Sequence, residues 1–389
     1  MNPPKIGLAL SGGGSRAIAF HLGCLRALHD RGILKKVTVL SGVSGGSVIA
    51  ALYAYSDEPF EVFSDRVETL LSRGMVWGIV RETFFSFELP KIMVATTLAG
   101  SAAILACVIQ LLGWILSLIK LRPMWLEKIG EHILDFFPRF ASFTTAFELH
   151  LIRRYFGDRR MGAVERKGLS VVINAAELRT GTAFRYGSME SGCWRFGRLT
   201  EAPRVATAVA ASAAFPAFLP ALDHYLTFTK GGVETKHRTI ISDGGVYDNL
   251  GVSCMLPGRS SEFSTNALPV DFIIACDAGQ GIPSGARRPT FWMSRMLATV
   301  ITIHRRTQTL TQNLLHRMAA NGEIQGFLMP YLGQQDSALP VLPVDLVSRD
   351  QVVDYPTNFN PMSTGNIDKL SKRGEQLTRC LIETYAPEL

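Results

Sequence analysis

Ligand patterns for metals are what this 389-residue chain lacks first: its six cysteines, at 24, 107, 193, 254, 276 and 380, form no CxxC pair and have no histidine at ligand spacing. That excludes a zinc module and a disulfide scaffold, and the cysteines read as reduced, mostly buried thiols. Charge is also scarce, at 19% of residues, while hydrophobic residues reach 47%. The mean hydropathy of +0.17 excludes a disordered chain and implies that some segment meets lipid or is deeply buried. Acidic residues are outnumbered, 33 against 40 basic, and the net charge of +7 favours an anionic partner. No charged leader precedes the first apolar run, since Met1 to Lys5 pass directly into it, so a cytoplasmic chain is expected. Repeats and low-complexity tracts are absent, and the length suits one large domain or two smaller ones.

What is present begins with two strand–glycine turn–helix units. Ile6 to Leu10 runs into Gly12, Gly13 and Gly14, followed by helical periodicity over Ala17 to Asp30; Val37 to Leu40 runs into SGVSGGS, followed by a short helix over Val48 to Tyr55. A right-handed parallel crossover sets both turns at the same carboxyl edge of one sheet. Later apolar runs at Leu169 to Asn174, Thr239 to Ser242, Val270 to Cys276 and Glu323 to Pro330 predict further strands, and Phe291 to Arg317 a long basic helix. The expected fold is an α/β three-layer sandwich around a mainly parallel sheet.

Gly42, Val43, Ser44, Gly45 and Gly46 form a GxSxG turn, in which small neighbours let Ser44 stand exposed on a strained strand-to-helix corner. Backbone N–H groups of Gly12, Gly13 and Gly14, with Arg16 nearby, suit an oxyanion site on the adjacent turn. A dinucleotide fingerprint also fits Gly12, Gly14 and Ala17, but it requires an acidic residue after the second strand, where Ser41 and Gly42 stand. A P-loop fails for want of GK[ST]. Ser44 comes too early for the α/β-hydrolase chain order, and no histidine lies in a small-residue turn after a strand. His304 and His316 on the basic helix, like His21 and His29 on the first helix, read as surface or packing residues. Asp243 follows a strand and opens DGGVYDNLG, where Gly244 and Gly245 allow close approach to another turn, which makes it the better base; Asp277, in ACDAG, is the second carboxylate.

Together GGGSR at 12 to 16, GVSGG at 42 to 46 and DGG at 243 to 245 resemble the patatin-like phospholipases. ASAAFPAFLPAL, with Ser212 and Pro216 in a loop, and INAAELRTG add to the likeness, which covers about residues 5–72 and 165–285. Ala17 departs from it, since a glycine usually follows the arginine. The resemblance implies a serine lipid acyl hydrolase: Asp243 takes the proton of Ser44, the serine attacks an acyl ester, Gly13, Gly14 and Arg16 hold the oxyanion, and Gly42 and Gly46 shape the elbow. It implies a phospholipid or related ester as substrate, no cofactor or metal, and no nucleic acid partner. A catalytically silent lipid-binding scaffold, or a soluble esterase or acyltransferase, are the alternatives.

Residues 73–158 read as an insertion into a discontinuous catalytic domain of residues 1–72 and 159–389. Within it Ile92 to Ile119 carries no charge and is long enough to cross a membrane. Lys91, Lys120 and Arg122 flank it; Trp77, Phe84, Phe85, Phe87, Trp114 and Trp125 lie near its ends, and Met124 to Phe156 is amphipathic. A single crossing would set Ser44 and Asp243 on opposite sides. Three readings survive: a re-entrant hairpin turning near Gly100 or Gly113, an interfacial lid, or a helix packed on the core or in an oligomer. The chemistry favours insertion without crossing, on an anionic leaflet.

Overall fold

The computed structural model describes residues 4–121, 124–136, 139–216, 218–281, 285 and 289–389; Met1 and Arg122, used above, lie outside them. The strands are β1 (Ile6–Leu10), β2 (Val37–Val43), β3 (Ser170–Glu177), β4 (Thr182–Gly187), β5 (Ser191–Cys193), β6 (Gly197–Leu199), β7 (Leu222–Lys230), β8 (Val233–Asp243), β9 (Phe272–Cys276) and β10 (Gly326–Leu328). The helices are α1 (Gly14–Asp30), α2 (Gly45–Ala54), α3 (Phe60–Arg73), α4 (Val76–Phe84), α5 (Glu88–Leu118), α6 (Met124–Phe136), α7 (Phe143–Leu151), α8 (Val205–Ser212), α9 (Gly245–Asp248), α10 (Trp292–Ala320) and α11 (Thr364–Tyr385).

Among the described residues all ten strands belong to one sheet, ordered β10-β9-β1-β2-β3-β4-β5-β6-β7-β8. Its first half, β10 to β3, is parallel. From β3 onward every pairing is antiparallel, so the sheet is mixed and the expectation of a mainly parallel one is corrected. The reason is connection length. Gaps such as Lys230 to Val233 are too short for a crossover helix and must be hairpins. Gly231 and Gly232, at φ 58° and 79°, make the two-residue turn that joins β7 to β8.

Alternation along the central strands divides the core between the two sheet faces. Leu8, Leu10, Leu40, Ile173 and Ile274 face one side, in a cluster with apolar residues of α1, α2, α3 and α11. Ala9, Val39, Val172, Ile273 and Ala275 face the other, with Leu250, Val252, Met255 and the α10 residues Leu315 and Met318. These two covers complete the three-layer α/β architecture.

Outside the sheet, α5 runs unbroken through Gly100 and Gly113, so it does not turn back at either glycine. The return is made by α6, packed antiparallel on it: Gly130 lies against Ala106 and Gln110, and beyond α6 Arg139 donates to Thr96 at 3.4 Å. On α5, Ala95, Ala102 and Ala106 are buried, whereas Ile104, Leu111, Trp114 and Leu118 stay exposed, as does Ile119 just beyond it. By length and composition α5 could cross a membrane, and only 17% of its most apolar window is buried. Beyond α6 the chain re-enters the body, where Arg139 N–H donates to Asp223 at 2.8 Å and Ala146 and Phe147 of α7 are fully buried. All six cysteines are free; five are buried, and Cys107 on α5 is exposed.

Candidate active site

Strand β3 sets the geometry of the site. Its Asn174 pairs with Val43 at the end of β2, and its next residue, Ala175, pairs with Asp243 at the end of β8. β2 runs parallel to β3 and β8 antiparallel to it, so the two strands approach head to head and finish over consecutive residues of a shared neighbour. The serine one step beyond β2 and the aspartate ending β8 therefore meet. Close approach of the β8 turn depends on Gly244, where a Cβ would lie 2.2 Å from the Asn174 carbonyl oxygen. Asn174 itself is buried and ties β2 by donating to Ser41 Oγ at 2.8 Å and to the Gly42 carbonyl at 3.2 Å.

Ser44 occupies φ 51°, ψ −121°, a conformation unfavourable for a non-glycine residue, immediately before α2. The strain is held from two sides. Gly46 lets α2 press on β1, since a Cβ there would come within 2.1 Å of the Leu10 carbonyl oxygen. The Ser44 N–H donates to Ser212 Oγ at 2.9 Å. Ser212 is the last residue of α8 rather than part of a loop, and only the turn that follows it contains Pro216. The same segment holds the aspartate: Asp243 N–H donates to the Ala214 carbonyl at 3.1 Å and Gly244 N–H to the Ser212 carbonyl at 3.3 Å. Ser212 thus braces both halves of the site.

Asp243 is 3% exposed. Desolvation raises its pKa to about 6, against the opposing pull of hydrogen bonds from the Gly245 N–H and the Ser44 hydroxyl. The Gly245 bond measures 2.7 Å.

The first glycine turn has its own division of labour. Gly12 N–H donates to the Asn249 carbonyl at 3.2 Å, and Ala17 N–H closes on Gly13. Among the described residues, no such turn bond engages the N–H groups of Gly13 and Gly14, whose φ values of 150° and 60° turn the chain into α1. Arg16 is buried, with Nε donating to the Ala278 carbonyl at 3.0 Å and Nη1 donating to the Tyr355 carbonyl and Thr357 Oγ1, both at 2.8 Å. Burial lowers its pKa to about 10, against the charge of Asp277. The guanidinium therefore clamps the turn, and Nη2 lies 3.1 Å from where a Gly13 Cβ would be.

Asp277 directly follows β9, on the far side of β1 from Ser44, and accepts from Gly279 N–H at 2.8 Å and Gln308 Nε2 at 2.5 Å. Desolvation raises it too, to about 6. Two residues escaped the sequence reading. Asn249 of DGGVYDNLG brings its side chain against Gly12 and Gly245, and His304, read above as a surface or packing residue, sets its ring against Gly245, with Cε1 3.4 Å from where a Cβ there would be. Burial lowers the His304 pKa. Asn249 stood inside a motif already singled out; nothing local marked His304, which a helix 60 residues downstream delivers. Among the described residues no three His, Cys, Asp or Glu side chains assemble as a metal site.

The pattern described as patatin-like phospholipase matches residues 8–255, more than half of the chain, with both glycine turns, Ser44 and Asp243 inside the match. This chain belongs to that family. Within the patatin-like phospholipases, a 95-residue stretch is 40% identical to lysophospholipase 2 of Aspergillus fumigatus, covering 21% of this chain and 15% of that protein. A 59-residue stretch is 47% identical to lysophospholipase NTE1 of Mycosarcoma maydis, covering 15% of this chain and 3% of that one. The matches thus span a small part of these relatives' lengths. In fold the chain is similar to human GIVD cytosolic phospholipase A2, with a TM-score of 0.53 and 14% identity over 97% of this chain and 58% of that one.

Proposed function

We propose that this chain hydrolyses acyl esters of phospholipids or related lipids through Ser44 and Asp243. The observation that carries the reading is the meeting of a strained serine with a buried, hydrogen-bonded carboxylate over consecutive β3 residues. Asp243 takes the Ser44 Oγ proton as Oγ bonds to the ester carbonyl carbon, and the oxygen that gains the charge is met by the Gly13 and Gly14 N–H groups. The carbon–oxygen bond to the alcohol breaks, and that alcohol leaves with the proton from Asp243. Water then gives a proton to Asp243 and attacks the acyl-serine; the fatty acid leaves and Oγ recovers its proton. Arg16 holds the oxyanion turn in shape through its three donated bonds and adds positive potential.

Residues 73–158 are an insertion in a catalytic domain made from 1–72 and 159–389, and its α5–α6 hairpin is the membrane-facing part. The α5–α6 hairpin leaves and returns on one side, so its apolar surface dips into a leaflet while Ser44 and Asp243 stay together. Lys91 and Lys120 flank the uncharged run of Ile92 to Ile119 in keeping with an anionic, cytoplasm-facing leaflet. Hydrolysis of a chromogenic acyl ester by wild type, Ser44→Ala and Asp243→Ala tests the chemistry. Each variant is expected to lose at least about a thousandfold in rate, and equal rates in all three would favour a silent lipid-binding scaffold.

A further inference from the structure

The catalytic reading above leaves most of α10 unexplained. Only its C-terminal third is rooted, with Leu315 and Met318 in the core. Further up, the face bearing His304 and Gln308, one turn apart, touches the Gly245 backbone and Asp277, the two strand-end turns beside the site. The adjoining face is apolar and in solvent: Trp292, Met296, Val300, Ile303 and Leu310 are 59%, 57%, 47%, 62% and 57% exposed. Their spacings of four, four, three and seven align them in one stripe. Beside that stripe Arg295, Arg306 and Arg317 recur every eleven residues, close to three turns, and all three are exposed. Between Asp277 and Glu323 the chain has six arginines and no acidic residue.

From these features we infer that α10 is an interfacial helix that lies on an anionic phospholipid surface, its apolar stripe in the acyl boundary and its arginine row against the headgroups. A basic amphipathic helix matches that surface in both terms: the stripe supplies buried area and the arginines supply the charge preference. The orientation matters for the site, because the third face of the same helix rests on the turns of Asp243 and Asp277. Docking α10 therefore brings the Ser44 side of the sheet to the leaflet independently of the α5–α6 hairpin. The inference rests on the lipid-hydrolase reading for its purpose, while its geometry stands without it.

Vesicle co-sedimentation of the full chain in the Ser44→Ala background separates the two. Wild-type α10 is expected to favour phosphatidylglycerol-containing vesicles over pure phosphatidylcholine, with the preference falling as salt rises. Arg295→Gln/Arg306→Gln is expected to lose about 30-fold on the anionic vesicles, from about 1 kcal/mol per arginine, and nothing on phosphatidylcholine. Trp292→Ser/Ile303→Ser is expected to weaken both. Unchanged anionic binding by the arginine variant would overturn the inference, as would equal loss on both compositions, or tight retention on heparin with no preference for phosphatidylglycerol. With Ser44 intact, the arginine variant is expected to cleave a soluble short-chain ester at the wild-type rate. An inactive wild type whose vesicle binding follows this pattern would strike the hydrolase reading and leave the α10 surface standing.

Discussion

Replacing Asp243 by Asn should make the protein more stable while making it inactive. Burial lifts this carboxyl from an ordinary 3.8 to about 6. A shift of that size corresponds to about 3 kcal/mol of native-state destabilisation whenever the group is ionised in both states. The sign follows from proton counts. Between pH 3.8 and 6 the folded protein holds a proton that the unfolded chain has released, so stability falls as pH rises through that window and is level above it. Asn keeps the acceptor for the 2.7 Å bond from Gly245 N–H without a charge. Urea or thermal unfolding from pH 4 to 8 is therefore expected to show Asp243→Asn close to wild type at pH 4 and about 3 kcal/mol more stable at pH 7 to 8. A variant no more stable than wild type at pH 8, or a difference that does not change with pH, would refute the reasoning.

Four further outcomes follow from the same geometry. Ester hydrolysis is expected to rise with pH through about 6 and then level off, because the base acts as the carboxylate; a rate independent of pH between 5 and 8 would count against Asp243. Ser212→Ala leaves the buried Ser44 N–H without its acceptor, and about 1–3 kcal/mol of stability should go in a urea titration, with kcat falling more than KM changes. Gly46→Ala drives a methyl into the Leu10 carbonyl, and soluble yield and melting temperature should both collapse. Leu105→Lys/Leu112→Lys, on the exposed length of α5, should weaken co-sedimentation with phosphatidylcholine vesicles, at about 3 kcal/mol of lost α5 insertion per charge, to what α10 alone supports, with the soluble-ester rate retained.

The parallel half of the molecule was legible because each of its strands is a short apolar run that ends in a marked turn. Ile6 to Leu10 and Val37 to Leu40, the latter extended to Val43 in β2, needed only the glycines behind them and the rule of right-handed crossovers to bring Gly13 and Ser44 to one edge. The antiparallel half was not legible for a physical reason. β5 and β6 have three residues each, and the β8 stretch VETKHR is mostly open to solvent and shows no apolar run, so only Thr239 to Ser242, near its buried end, read as strand. That mattered less than it could have, since the buried end carries the carboxylate. What no local pattern contains is the β3 register that joins Ser44 to Asp243, or a histidine arriving from α10. Within α5, glycines at 100 and 113 suggested a turn, but both sit among helix-forming apolar residues in open surroundings, and the helix continues through them.

The central claim is that Ser44 is the nucleophile and Asp243 activates it. Labelling with a long-chain fluorophosphonate, read by intact mass and peptide mapping, tests both at once. One adduct is expected, on Ser44, with Asp243→Ala labelled at least about a hundredfold more slowly. An adduct on a different serine, or Asp243→Ala labelled as fast as wild type, would contradict it.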